Sequence, residues 1–297
     1  AAEVESLLAA LARGGETWDS PAGAFLASAL ADVGESGQVG RRIGPYALRR
    51  LVGVGGMGAV YEGVRVDDQF HQRVAVKLLR PGLDGDLAVR RFRYERQILA
   101  DLNHPNIASL LDGGVTADGQ PYFVMEYVDG EPITAYCARR RLDVRARVRL
   151  LLQVCAAVQH AHQHLVVHRD LKPGNILVDE RGAVKLLDFG IARLLREAEG
   201  PDQLPPTQGG ARAFTPDYAS PEQLRGLATA TTSDVYSLGV IASELLAGRR
   251  PFELQGRLFA EMQETVCRTP APAPSSLVRE EDAAAFGARS ATRVRAQ

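Results

Sequence analysis

The chain predicts an α+β fold in two lobes: a small antiparallel sheet with one helix, then a larger, mainly helical body. Three observations carry that expectation. Short β-type runs crowd the stretch from Tyr46 to Glu126, and helical periodicity takes over after Gly130. Within the helical part lies a polar loop, His168-Arg169-Asp170-Leu171-Lys172-Pro173-Gly174-Asn175. Asp188-Phe189-Gly190 follows it at a distance that leaves room for one short hairpin.

Taken in order, residues 1–44 read as a helical pair, Glu3 to Arg13 and Ala22 to Val33, ending in a Gly-rich linker from Gly34 to Gly44. Leu7, Leu8 and Leu11 recur at helical spacing, but no residue there carries chemistry. The small lobe is placed at 45–127. Leu48 to Val52, Ala59 to Val66 and Arg73 to Leu79 are strand-like, with a turn at Asp67-Asp68. Asp86 to Asp101 reads as an amphipathic helix with Phe92, Glu95, Leu99 and Leu102 along one face. Ile107 to Leu111 and Tyr122 to Glu126 complete the sheet. The larger lobe is placed at 128–278, with helices near 132–140, 143–165, 232–247 and 257–267. A Pro-rich piece, Thr269 to Pro274, leads into a charged tail at 279–297 with no apolar face for docking.

Composition narrows the classes. The 297 residues are 45% apolar and 24% charged, enough for a sizeable core. A net charge of −1 provides no field for nucleic acid or an anionic membrane. No apolar run approaches the ~18 residues of a membrane span. Cys137, Cys155 and Cys267 lie far apart without a Cys-x-x-Cys pair, which points to free thiols in a reducing compartment. Of His160, His162, His164 and His168, only His160 and His164 share a helix face, and no Cys or carboxylate completes a metal set. Arg139-Arg140-Arg141 and Arg145, Arg147 and Arg149 read as solvated helix faces.

The motifs carry the chemistry. Gly53-Val54-Gly55-Gly56-Met57-Gly58-Ala59-Val60 is a G-x-G-x-x-G-x-V run. Dinucleotide folds use a similar fingerprint, but there the loop enters a helix. Here it runs between two β segments, and Val74-Ala75-Val76-Lys77 lies on a third. Glycines let backbone N–H groups approach phosphate oxygens without a Cβ clash. Lys77 offers an ammonium to those phosphates, and the inward-facing Glu95 can pair with it. In the polar loop, Asp170 can orient and deprotonate a hydroxyl, and Lys172 can neutralise a phosphoryl group in transfer. Asn175 and Asp188 are hard oxygen ligands of the kind Mg²⁺ takes.

With both blocks in register, the chain resembles the eukaryotic-like (Hanks-type) protein kinases over about residues 46 to 278, and Lys172 two residues after Asp170 is similar to the Ser/Thr branch. Arg96-Gln97-Ile98-Leu99, Leu110-Leu111-Asp112-Gly113-Gly114-Val115 and Ala135-Tyr136-Cys137 resemble bacterial members whose kinase domain precedes a tetratricopeptide region. The resemblance implies a two-lobed protein kinase fold, ATP and Mg²⁺ (or Mn²⁺) as cofactors, and protein substrates with Ser or Thr acceptors. It implies an ATP site formed by Val52, Gly53, Gly55, Gly56, Gly58, Val60, Ala75, Lys77, Glu95, Met125, Glu126, Val128, Leu177 and Asp188. Backbone groups of Glu126 and Val128 would read the adenine edge there. Catalytic roles fall to Asp170, Lys172, Asn175 and Thr215, metal binding to Asn175 and Asp188, and Asp234 would brace the loop.

Regulation is implied as well. Arg169 would pair with a phosphate on the segment from Asp188 to Glu222, with Thr207 the candidate phosphosite and dimerisation accompanying autophosphorylation. A cytoplasmic location follows. Ser220-Pro221-Glu222 stands where most members have Ala-Pro-Glu. The two last helices of the family are not found, so the domain reads as truncated, and Glu222, without its usual arginine, is expected to turn to solvent. A pseudokinase scaffold is the alternative of another class. It would be expected to lack Lys77, Asp170, Asn175 or Asp188, and none is lost. A small-molecule kinase is disfavoured by the long activation segment and Thr215.

Overall fold

A computed structural model describes residues 38–55, 58–67, 71–79, 96–189, 215–287 and 291–295. The small lobe is one antiparallel sheet of six strands: β1 (Arg42–Ile43), β2 (Tyr46–Gly55), β3 (Gly58–Arg65), β4 (Arg73–Leu79), β5 (Leu110–Val115) and β6 (Pro121–Glu126), in the order β1-β2-β3-β4-β6-β5. Alternation along β4 explains why the sheet has two unlike faces. Val74, Val76 and Leu78 are buried with Tyr46, Leu48, Tyr61 and Val124 on one side. Ala75 and Lys77 lie on the other. Register continues that second face across the sheet: Val60 opposes Lys77, and Met125 opposes Ala75. The pleat itself thus gathers Val60, Ala75, Lys77 and Met125. The expected strand from Ile107 begins instead at Leu110, because Ile107 is drawn into a parallel bridge with Leu186 of the larger lobe.

With α1 the helical turn at 96–100 in the small lobe, the larger lobe is built on two long helices, α2 being the short Ile133–Arg139 before them. In α3 (Val144–Gln163), Asp143 accepts from Ala146 N at 2.8 Å, an N-cap typically worth about 1 kcal/mol. The α3 stripe Leu150, Val154, Ala157, Val158 and Ala161 packs into a core shared with Ile241 and Leu245 of α5 (Thr231–Ala247). Gly248 ends α5 in the left-handed conformation, φ 75°, that favours glycine. Strands β7 (Gly130–Pro132), β8 (Ile176–Asp179) and β9 (Val184–Leu186) form the small sheet that carries the polar loop. Asn106 joins the lobes: its Nδ2 donates to Val184 O at 2.8 Å, and its carbonyl accepts from Leu186 N at 2.8 Å. Short α4 (Pro221–Leu224), then α6 (Phe259–Arg268), α7 (Pro274–Leu277) and α8 (Ala291–Arg295) complete the lobe.

Two sequence expectations need correction. Residues 279–297 were expected to offer no apolar face. Ala283, Phe286, Ala291 and Val294 are instead buried against Ala247 and Val278. All five side chains around Phe286 are alanines or valines, several of them scattered among charges, which hides the face from a search for large apolar residues. Arg147 is the second. It is only 4% exposed, donates to the carbonyls of Leu142, Leu245 and Ala285, and lies 3.8 Å over the Phe286 ring. Burial pushes its guanidinium pKa down from the usual arginine value. Its alternation with Arg145 and Arg149 suggested a solvated face, but it is the pin that fastens the C-terminal segment.

Candidate active site

The site grows from the polar loop, whose backbone is unusual. Arg169 has φ 68° and Asp188 φ 53°, left-handed values that cost a non-glycine residue roughly 1 kcal/mol or more. Buried hydrogen bonds hold the strained backbone in place. Asp234, 1% exposed on α5, accepts from His168 N and Arg169 N at 2.8 Å each and from His162 Nε2 at 2.7 Å. Gln223 Nε2 donates to Arg169 O at 2.7 Å. His168 is bound on both ring nitrogens: Nδ1 accepts from Asp170 N at 3.3 Å, so the proton sits on Nε2, which donates to Leu187 O at 2.8 Å. Its ring also packs on Phe189, centroids 4.8 Å apart. One imidazole therefore ties the loop to the residues that present Asp188.

Around Asp170 the polar side chains converge. Lys172 Nζ donates to Asp170 Oδ2 at 2.7 Å and to Thr215 Oγ1 at 3.3 Å. Asn175 Nδ2 donates to Asp170 O at 2.8 Å and Oδ2 at 3.2 Å. Opposite them, Lys77 Nζ forms an ion pair with Asp188 Oδ1 at 2.8 Å. This arrangement leaves oxygens spare. Both contacts of Asn175 go to acceptors, so its amide nitrogen is fixed there and Oδ1 is left over, while Asp188 keeps Oδ2. An amide oxygen and a carboxylate oxygen are the hard donors a Mg²⁺ ion takes, so the residues fit such an ion.

The remaining sequence-predicted residues fall on the sheet side. Val52 is 49% exposed, with Gly53 beside it and Gly55 ending β2. Gly58 starts β3 with φ 142°, and a Cβ there would stand 1.9 Å from Leu78 O. No larger residue fits without moving the strand. Val60, Ala75 and Met125 share the Lys77 face, and Leu177 lies on β8. Val128 lies just past β6, and its backbone N–H and C=O find no partner among the described residues. Glu126 is tied by its side chain, which accepts from Lys185 Nζ at 2.8 Å and Ser109 N at 3.3 Å. Gly56, Glu95 and Thr207, and with Glu95 the expected Lys77–Glu95 pair, lie outside the described residues.

Two features were missed in the sequence. Ser220 and Gln223 form a capping box at α4, and the same Gln223 amide reaches the loop. The Ser-x-x-Gln pattern was visible and could have found it. Glu222, expected to face solvent, is half-buried and accepts from the Ser233 hydroxyl. Burial alone would raise its pKa, but Ser233, its own backbone N–H and Ser220 outweigh that, and it lies below the usual carboxylate value. Nearby, Tyr218 donates to Glu244 Oε2 at 2.7 Å, and Arg250 pairs with Asp217 at 2.5 Å. These fix the turn that follows Thr215.

Comparison with known proteins agrees with this architecture. The protein kinase domain profile matches residues 46–283. Serine/threonine-protein kinase PknA of Mycobacterium tuberculosis (strain ATCC 25177 / H37Ra) is 42% identical over 240 residues, 79% of this chain and 54% of that protein. Serine/threonine-protein kinase PrkC of Bacillus subtilis (strain 168) is 38% identical over 235 residues, 78% of this chain and 35% of that protein. The chain thus spans about half or less of the length of these curated relatives. A crystal structure of a mutant Mycobacterium tuberculosis PknI kinase domain superposes with a TM-score of 0.58 at 27% identity, covering 86% of this chain and 91% of that one. With a kinase profile over most of its length, the chain belongs to the protein kinase domain family, and it is similar to bacterial Ser/Thr members of that family.

Proposed function

We propose that this chain transfers the γ-phosphoryl group of ATP to Ser and Thr hydroxyls of proteins. The observation that carries the reading is the Asp170, Lys172, Asn175 and Thr215 cluster facing the Lys77–Asp188 pair. Asp170 would accept the hydroxyl proton as the acceptor oxygen attacks, its carboxylate aimed by Lys172 and Asn175. Lys172 would also offset negative charge on the group in transfer, and Thr215 would hold Lys172 from the substrate side. Lys77 would hold the nucleotide phosphates beneath the Gly53–Gly58 hairpin. Val60, Ala75, Met125 and Leu177 would enclose the base, and the backbone groups of Val128, unpartnered among the described residues, suit its polar edge. Asn175 and Asp188 would hold Mg²⁺, which when bound screens the phosphate charge.

Regulation belongs to the same reading: autophosphorylation at Thr207, during dimerisation, with Arg169 as part of the basic pocket. The kinship to kinases that precede a tetratricopeptide region is part of it too. The free thiols favour a reducing, cytoplasmic setting. The test is transfer from radiolabelled ATP to a basic protein acceptor, followed by phosphoamino-acid analysis. Mg²⁺- or Mn²⁺-dependent label on Ser and Thr, lost in Asp188→Asn, is the expected result. Label on tyrosine alone, or undiminished label in Asp188→Asn, would sink it.

A further inference from the structure

Two carboxylates converge beside the turn that supports Lys172. Asp217 and Tyr218 lie in the short 3₁₀ turn Pro216–Tyr218, and Thr215 just before it accepts from Lys172, which bonds Asp170. Tyr218 donates its hydroxyl to Glu244 Oε2 of α5 at 2.7 Å. Glu244 is half-buried, and among the described residues no cation bonds to it. Burial raises its pKa above the usual carboxylate value against the pull of Tyr218 and Arg250, and Asp217 adds to the rise. The two acids thus feel each other across one corner, next to the catalytic cluster.

The counter-charge comes from elsewhere in the chain. Arg250, in the loop after α5, pairs through Nη1 with Asp217 Oδ2 at 2.5 Å and stands 5.8 Å from the centre of the Tyr218 ring. Burial works against its charge, but Asp217, Tyr218 and Glu244 outweigh that and hold its pKa above the usual arginine value. The side chains of Arg250 and Asp217 are 20% and 18% exposed, so the corner opens to solvent. Carboxylates converging on one guanidinium are also how a protein grips an arginine from outside. Here the arginine is the chain's own.

We infer that Arg250 is a specificity-determining residue: it fills an acidic corner beside the acceptor site and denies that corner to a lysine or arginine of the protein segment being phosphorylated. An incoming cation would have to displace Arg250 or share the corner with it, and like charges so placed repel. Segments with neutral neighbours around their Ser or Thr are therefore accepted at least as well as basic ones. Without the guanidinium, Asp217 and Glu244 are left uncompensated, and the same corner becomes a receptor for a basic side chain.

The inference rests on the protein-kinase reading for what enters the corner, and a binding measurement, which needs no transfer, keeps the two failures apart. The experiment is fluorescence polarisation of labelled peptides with the 297-residue chain in saturating ADP. Each peptide carries one Thr in an Ala/Gly background, with a single Arg placed in turn at each neighbouring position. The parent should bind no Arg peptide tighter than the neutral one. Arg250→Met and Arg250→Gln should each bind the peptide with Arg at one such position about tenfold tighter than the neutral one. Adding Asp217→Asn should abolish that gain, and Arg250→Lys, which keeps the charge, should behave as the parent. A parent that already prefers an Arg peptide overturns the inference, and that arm requires no variant to fold. Folded Arg250→Met or Arg250→Gln chains without any preference overturn it as well. So does a gain that survives Asp217→Asn, since the basic side chain would then be held elsewhere.

Discussion

The polar loop and the glycine hairpin flank the candidate site, and they are built on opposite principles. The loop, residues 168–175, is fixed by buried polar bonds. Asp234, Gln223 and His168 together use five hydrogen bonds to hold a backbone that includes a left-handed arginine. The hairpin of β2 and β3 is shaped by what is missing. Val52 and Val54 are exposed, a Cβ on Gly53 would meet nothing within 4 Å, and Gly58 allows the strand to close only because it has no Cβ. A protein kinase domain must hold its reacting carboxylate still and let its nucleotide come and go. The first demand is met by over-determination. The second is met by an edge with few side-chain contacts.

That contrast can be broken most forcefully at Asp234. Asp234→Ala removes the acceptor of two buried backbone N–H groups and should cost about 3 kcal/mol of stability and most of the activity. Asp234→Asn, which keeps one acceptor, should cost less. Denaturant melts of the two variants check this, and a loss under about 0.5 kcal/mol in Asp234→Ala would mean the loop is held by something else.

The hairpin sharpens the comparison through a paired substitution. Gly58→Ala forces a Cβ into Leu78 O and a strained φ, and should destabilise by about 2 kcal/mol and weaken ATP binding. Gly53→Ala meets open space and should leave stability within about 0.5 kcal/mol while raising the KM for ATP. Equal melting of the two variants would contradict the account of the hairpin.

The smallest effect concerns the joint between the regions. His104 is held below the usual histidine range, first by burial and then by the nearby His160 and Lys185. Its neutral form is thus favoured in the fold. The stability this provides is complete above the unfolded value of about 6.5 and is lost as pH falls through and below it. Expected is a slight fall in stability between about pH 7 and pH 5.5, damped by solvent screening and shallower in His104→Asn. Urea midpoints across that range test it, and an identical slope in the variant would remove His104 from the explanation.

How much of this was legible depended on the range of the interaction. Asp170, Lys172 and Asn175 lie within six residues, so their spacing alone announced a site, and Asp234 came with the motif on α5. The strands and long helices were legible because burial imposes periods of two and 3.6. What escaped reading was set by distant packing. Arg147 differs from Arg145 in that Phe286 and three distant or folded-back carbonyls receive its guanidinium. Glu222 stayed half-buried because Ser233, eleven residues on, supplied a hydroxyl. The Lys77–Asp188 pair depends on how two lobes meet, which no local pattern encodes.

The central claim is that the loop exists to hold one carboxylate at the transfer site, and single-turnover phosphoryl transfer by Asp170→Asn tests it most directly. The variant keeps the side-chain shape and an acceptor for Lys172, so its melting temperature should stay near that of the parent. Transfer to a Ser/Thr acceptor should fall by about a hundredfold or more, with ATP affinity little changed. Transfer within about twofold of the parent, in a variant that folds and binds ATP, would show that Asp170 is not the group the loop was built to position.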